Sequence, residues 1–179
     1  YFIKNNGEIV VLVPDLYIAW HAGKSFWKKF SSLNKNSIGI EISNPGHGLD
    51  YKKFSNKQIN SLIRLTKYLI QKYNIKSQNI LGHSDIAPNR KKDPGEKFPW
   101  KYLSQKKIGF WHELNKKTLI RNRKLFTTIK EKKLFFENLV KIGYSKKNKK
   151  KNNIDKAKYL KIMIKAFQRR FRPEIINGK

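Results

Sequence analysis

The segment Ser55–Tyr73 constrains this chain more than any other. Ile59, Leu62, Ile63, Leu65, Leu69 and Ile70 recur at helical spacing with lysines opposite, so one helix face must be buried against another layer. Ser55, with Gln58 three residues on, fits a capping box and sets the start. Short apolar segments stand on both sides. Ser37–Ser43 (SIGIEIS) reads as a buried strand and Asn79–Gly82 as a strand ending at His83. Near the start, Tyr1–Lys4 and Glu8–Val13 are β-rich runs split by Asn5-Asn6-Gly7, a strong hairpin signal. The expected fold is α/β, with a mixed central β-sheet flanked by helices. Leu16–Trp20 reads as a further extended piece and His21–Asn36 as a polar, aromatic loop. Asn44–Gly48 (NPGHG) must be a tight loop, residues 84–97 form another, and Phe98–Leu103 fits a short helix.

Composition shifts after about residue 108. Residues 109–130 read as a connector to a small all-α module at 131–179. There Glu131–Ile142 and Ile154–Phe171 are amphipathic, with KKNKKKNN (146–153) a solvated loop between them. Leu134, Phe135, Leu139, Val140 and Ile142 form the apolar face of the first helix. Tyr159, Ile162, Met163, Ala166, Phe167 and Phe171 form that of the second. Two such helices rarely hold together alone. They are expected to pack on residues 113–128, on the first domain, or on a third helix beyond Lys179.

Charge narrows the partners. The net charge is +29, a value that raises nucleic acid as a ligand. The excess, however, is 34 Lys to 7 Arg, alongside abundant Asn, Ile, Phe and Tyr. AT-rich coding produces that mixture, whereas base-specific readers lean on Arg. No specific nucleic-acid partner is expected, only general attraction to anionic surfaces. No apolar run is long enough for a transmembrane segment. The chain opens at Tyr1 without a charged-then-apolar leader and stops at a turn-like Asn177-Gly178-Lys179, so both ends look cut. Cysteine is absent, which removes disulfides and thiolate ligands.

The chemistry concentrates in LGHSDIAPNRKKDPGEKFPW (81–100). His83 and Asp93, ten residues apart, supply an imidazole and a carboxylate, a donor pair that suits zinc. The spacing alone also fits a strand-capping histidine and an aspartate paired with Lys91. Glu41 is costly to bury among Ile38, Ile40 and Ile42 unless it has a role. Strand alternation puts Gly39, Glu41 and Ser43 on one face. There Glu41 is either a general base toward a metal-bound water or a solvent-facing edge residue. Lys91 suits oxyanion stabilisation, though it is one lysine among many.

Together these motifs resemble the zinc-dependent N-acetylmuramoyl-L-alanine amidases of the type-2 amidase family. Four segments match in order: YFIKNNGEIVVLVPD (1–15), AWHAG (19–23), SIGIEISNPGHG (37–48) and GHSDIAPNRKKDPG (82–95) followed by FPW. The resemblance implies that His83 and Asp93 are two zinc ligands. Glu41 would activate the water, and Lys91 would stabilise the transition state. The family's third ligand, a histidine on an earlier strand, is expected upstream of Tyr1. Trp20, His21, Asn44 and His47 match motifs near the substrate groove, His21 and His47 equally fitting loop-fixing roles. LVKIGY (139–144), KAFQRRFRP and ING (165–178) resemble a peptidoglycan-binding helical module that lacks its last helix here. The implied activity is hydrolysis of the amide between N-acetylmuramic acid, or its anhydro form, and L-alanine in peptidoglycan or muropeptides. The two-part order looks most like cell-envelope (periplasmic) enzymes rather than short cytoplasmic recycling ones, and a monomer is expected. The rival on the same fold is a non-catalytic peptidoglycan-recognition protein.

Overall fold

The structure is a computed structural model that describes residues 1–48, 50–123, 128–145 and 156–179. The hairpin forms as its turn predicts. β1 (Phe2–Ile3) pairs antiparallel with β2 (Ile9–Val10), Phe2 opposite Val10. Gly7, at φ 86°, closes the turn by donating its N–H to the Lys4 carbonyl at 2.9 Å. β1 also pairs in parallel with β5 (Glu41–Ile42), giving the order β2-β1-β5, so the sheet is mixed. Between them, β3 (Phe26–Trp27) and β4 (Phe30–Ser31) form a small hairpin inside the stretch that reads as loop from sequence.

α1 (Asn56–Tyr73) has its capping box in place: the Ser55 hydroxyl accepts from the Gln58 N–H at 3.2 Å, and the Gln58 side chain accepts from the Ser55 N–H at 3.0 Å. Its buried face, Ile59, Leu62, Leu65 and Leu69, is the one the periodicity selects. Ile59 and Leu62 join a core with Ile3, Phe98, Trp100, Leu103 and Ile108, and Ile40 and Ile42 pack against it. α3 spans Trp100–Gln105, two residues later than the sequence pattern places it, because Pro99 stands at the cap.

Two expected extended pieces form no ladder among the described residues. Leu16–Trp20 opens in a turn, Tyr17 donating to the Pro14 carbonyl at 2.9 Å, and Leu16 and Trp20 are almost wholly exposed. Asn79–Gly82 carries no ladder among the described residues. Ser77–Asn79 is a 3-10 turn, and the Ile80 carbonyl accepts from Arg170 instead. His83 therefore does not end a strand. It opens a short helix, α2 (His83–Ile86), inside the expected loop.

Beyond residue 108, the connector holds α4 (Lys116–Arg123), which buries no residue. α5 (Ile129–Ile142) begins two residues before the expected start because Thr128 and Glu131 form a capping box. Its apolar face is narrower than its pattern: Leu139 is buried, but Leu134 and Ile142 stay exposed. α6 is Lys156–Phe171. The basic stretch 146–153 and the first two residues of the expected second helix lie outside the described residues. Leu139, Tyr144, Met163 and Ala166 share one core with Ala22, Trp27 and Leu33, with Leu81 and Ile86 packed on it. The joint is close. Gly143, at φ 143°, lies so near the Trp27 indole that a Cβ there would meet the ring at 2.6 Å. No helix among the described residues is long and apolar enough to cross a membrane.

Asp15 ties the exposed 14–17 turn to this frame. It accepts from the hydroxyls of Tyr1 (2.7 Å) and Tyr73 (2.6 Å) and from Lys72 Nζ (3.0 Å). The two tyrosine hydrogen bonds, with Lys72 behind them, hold its carboxyl down at about 2. A folded pKa below the unfolded one stabilises above the unfolded value, and that contribution is lost as pH falls through the folded value. Acid unfolding of the parent and of Asp15→Asn should therefore differ above about pH 4 and converge near pH 2. Equal stability of the two at neutral pH would contradict this.

Candidate active site

One cavity of about 940 Å³ brings most of the sequence candidates together: Glu41, His83 and Asp93 line it, as do Trp20, His21, Asn44 and His47. It runs inward to buried apolar residues of the first core, including Leu62, Leu103 and Ile108.

Glu41 reaches the cavity through strand alternation. Its neighbours Ile40 and Ile42 face the core while its own side chain is exposed. Backbone bonds from Glu41 N to Tyr1 O and from Ser43 N to Ile3 O, both 2.9 Å, fix that phase. Gly39, one step back on the same face, lies flat on the His21 ring, where a Cβ would come within 2.5 Å of Cγ. His21 sits 3.1 Å from the Ser37 carbonyl. Burial lowers its pKa, and the nearby His83 adds to that against the opposing carbonyl.

His83 and Asp93 meet directly, Nδ1 to Oδ2 at 3.0 Å. The Ser84 N–H also donates to the Asp93 carbonyl at 2.8 Å, so the two arms of the loop are clipped at backbone level too. Burial by itself pushes the Asp93 carboxyl up. The His83 hydrogen bond and charge, with Lys91 contributing, outweigh it and leave the pKa below its ordinary value. Lys91 is half-buried and does not line the cavity, so its reach toward it is electrostatic.

The other candidates divide. Trp20 is 88% exposed on the rim, an open aromatic face. The Asn44 amide is engaged in its own loop, donating to the Lys52 carbonyl and accepting from Gly46 N–H, both at 3.0 Å. His47 lies 2.9 Å from Glu96 and stacks on Tyr51, which bonds the Pro94 carbonyl; this arrangement braces the loop after Asp93. Arg90 had no sequence signal beyond its place in the loop. Its Nη2 donates to the Ala22 carbonyl at 2.8 Å and lies 3.3 Å from His83 Nε2.

The donor set fits zinc as part of a ligand shell. Imidazole and carboxylate are zinc ligands. The far nitrogen of His83, Nε2, lies 3.1 Å from the Ala22 carbonyl, the arrangement that orients a metal-binding histidine and leaves its other nitrogen to the metal. Among the described residues no group of three or more His, Cys, Asp or Glu gathers, and His83 and Asp93 stand as a pair.

A model of the N-acetylmuramoyl-L-alanine amidase family matches residues 1–96. The chain belongs to that family. Glu41, His83, Lys91 and Asp93 all fall inside the match. The chain is 38% identical over 183 residues to N-acetylmuramoyl-L-alanine amidase AmiD of Escherichia coli (strain K12), covering 98% of this chain and 64% of AmiD. It is 43% identical over 98 residues to 1,6-anhydro-N-acetylmuramyl-L-alanine amidase AmpD of Enterobacter cloacae, covering 55% of this chain and 50% of AmpD. The fold matches E. coli AmiD solved with the substrate anhydro-N-acetylmuramic acid-L-Ala-D-gamma-Glu-L-Lys. That match has a TM-score of 0.80 and 37% identity, over 96% of this chain and 66% of AmiD. The chain thus spans about two thirds or less of these relatives. The family match ends before α3, whereas the AmiD matches cover 98% and 96% of this chain, so the likeness to AmiD extends into the helical region.

Proposed function

We propose that the protein is a zinc-dependent amidase. It hydrolyses the amide between N-acetylmuramic acid, or its anhydro form, and L-alanine of the stem peptide in peptidoglycan or muropeptides. The observation that carries this reading is the convergence of Glu41, His83 and Asp93 on one cavity, with the last two in contact. The substrate complex of the AmiD relative supports the choice of bond and ligand.

His83 and Asp93 would hold zinc, with the Ala22 carbonyl fixing the imidazole from behind. When bound, zinc would supply Lewis-acid polarisation of the scissile carbonyl and lower the pKa of a water beside it. Glu41 accepts the proton of the attacking water and returns it to the departing amine as the C–N bond breaks. The products are a free lactyl carboxylate and the amino group of L-alanine. Lys91 offsets the charge that builds on the carbonyl oxygen. Trp20 offers an apolar face to the sugar or peptide at the rim. The basic surface favours the stem peptide's carboxylates, an attraction that salt screens.

A second reading is peptidoglycan recognition without catalysis, favoured by the two-member donor group among the described residues. One experiment separates them. Incubated with zinc and the anhydromuropeptide of the AmiD complex, the intact protein is expected to release peptide with a free α-amine, whereas residues 1–179 alone are expected to bind zinc weakly and turn over little. Asp93→Ala is expected to lose most bound zinc and drop release to background. Binding without release by the parent supports recognition instead. Unchanged zinc content in Asp93→Ala would overturn the ligand assignment.

A further inference from the structure

We propose that Asp85, held by Tyr144 and Arg170, is a positioning residue for the His83–Asp93 pair, so that α5 and α6 set the geometry of the candidate metal site. This rests on reading that pair as metal ligands. Asp85 follows His83 by two residues, is 1% exposed and does not line the cavity. Both its oxygens are taken. Oδ1 accepts from the Tyr144 hydroxyl at 2.7 Å, and Oδ2 accepts from Arg170 Nη1 at 2.6 Å and from the Gly82 N–H at 2.9 Å.

The partners come from far along the chain. Tyr144 follows the end of α5 and lies 59 residues from Asp85; Arg170 stands in the last turn of α6, 85 residues away. Arg170 also donates to the carbonyls of Ile80 (3.1 Å) and Phe110 (3.4 Å), and its guanidinium lies 3.9 Å from the centre of the Trp100 ring. One cation therefore grips the approach to His83 at Ile80 and the turn after it at Asp85. The Ser84 N–H, inside that same turn, carries the Asp93 backbone. Displacing Asp85 would move His83 directly and Asp93 through Ser84.

A buried ion pair is a weak source of cohesion, because desolvation offsets most of its attraction. Apolar side chains would glue α6 to this loop at least as well. A carboxylate fixed at three points instead specifies direction, which ligand placement needs and cohesion does not.

The test uses the full chain with Tyr144→Phe, Arg170→Met and Arg170→Lys, each at a temperature where circular dichroism shows it folded. Zinc affinity is read by competition with a chromophoric chelator. Ring-nitrogen NMR signals of His83 are read in zinc-free protein, with His112 as the control. Arg170→Met is expected to weaken zinc binding about 10- to 100-fold. Tyr144→Phe, which removes one hydroxyl, should weaken it less, and Arg170→Lys should recover part of the loss. His83 signals should shift while those of His112 stay. Lowered melting temperatures with zinc affinity within about twofold of the parent and unmoved His83 signals would overturn the proposal. If the parent binds no zinc, the metal reading fails. The His83 signals then decide positioning alone, shifted supporting it and unmoved overturning it. Should Arg170→Met fail to fold, Tyr144→Phe carries both readouts.

Discussion

Glu41→Gln is expected to leave the protein folded and zinc-loaded while release of stem peptide falls about 10²- to 10⁴-fold, the range of a lost general base. The near-absence of a structural penalty follows from where the residue stands. Glu41 is exposed, its carboxylate makes no hydrogen bond among the described residues, and the packing of β5 belongs to Ile40 and Ile42. Glutamine keeps the shape and the backbone bonds to Tyr1 and removes only basicity. Stability should shift by no more than about 0.5 kcal/mol, as at other surface positions. Zinc analysis, a thermal melt and the free-amine assay check the three parts. Release at near-parent rate would remove Glu41 from the chemistry, and loss of zinc would make it a ligand rather than a base.

Asp85→Ala is expected to cost about 3 to 5 kcal/mol of stability, because it strands Arg170 as an uncompensated buried charge. Both side chains are nearly inaccessible, 2% exposed for Asp85 and 5% for Arg170, so water cannot replace the lost partner. Tyr144 suffers as well. Its hydroxyl is fully buried, and burial followed by the Asp85 charge drives its pKa well above the ordinary value. For a domain of this size the loss corresponds to roughly 6 to 20 °C in melting temperature. Urea or thermal unfolding measures it. A loss below about 1 kcal/mol would mean that solvent reaches Arg170 when Asp85 is gone.

Local signals were legible in the sequence, and long-range ones were not. The Ser55–Gln58 box, the Asn-Gly turn and the alternation around Glu41 each involve residues within a few positions of one another, and each sits in the structure where its pattern puts it. Residues 79–86 read as strand then loop because apolar Ile80 and Leu81 precede a histidine. What turns that stretch into a helix is a carboxylate cap gripped by residues more than fifty positions away, which no window contains. The same reason hid Arg90 against the Ala22 carbonyl, 68 residues away, and Asp15 against Lys72 and Tyr73, 57 and 58 residues away. His47 illustrates the limit from the other side. Its motif fits either the groove or a loop-fixing role, and the structure has it both lining the cavity and lying 2.9 Å from Glu96, 49 residues later, a partner the motif does not contain.

The fit of Gly143 against Trp27 bears on how such chains can be reshuffled. A helical tail that merely hung from the amidase-family part could be exchanged by recombination at the connector. Here a donated tail would have to supply, at once, a residue without a side chain under the indole, a cover for Ala22 and Leu33, and a cation for Asp85. Those requirements fall in two separate stretches of the chain, residues 139–144 and 159–170. A change on one side of the joint therefore calls for a matching change on the other.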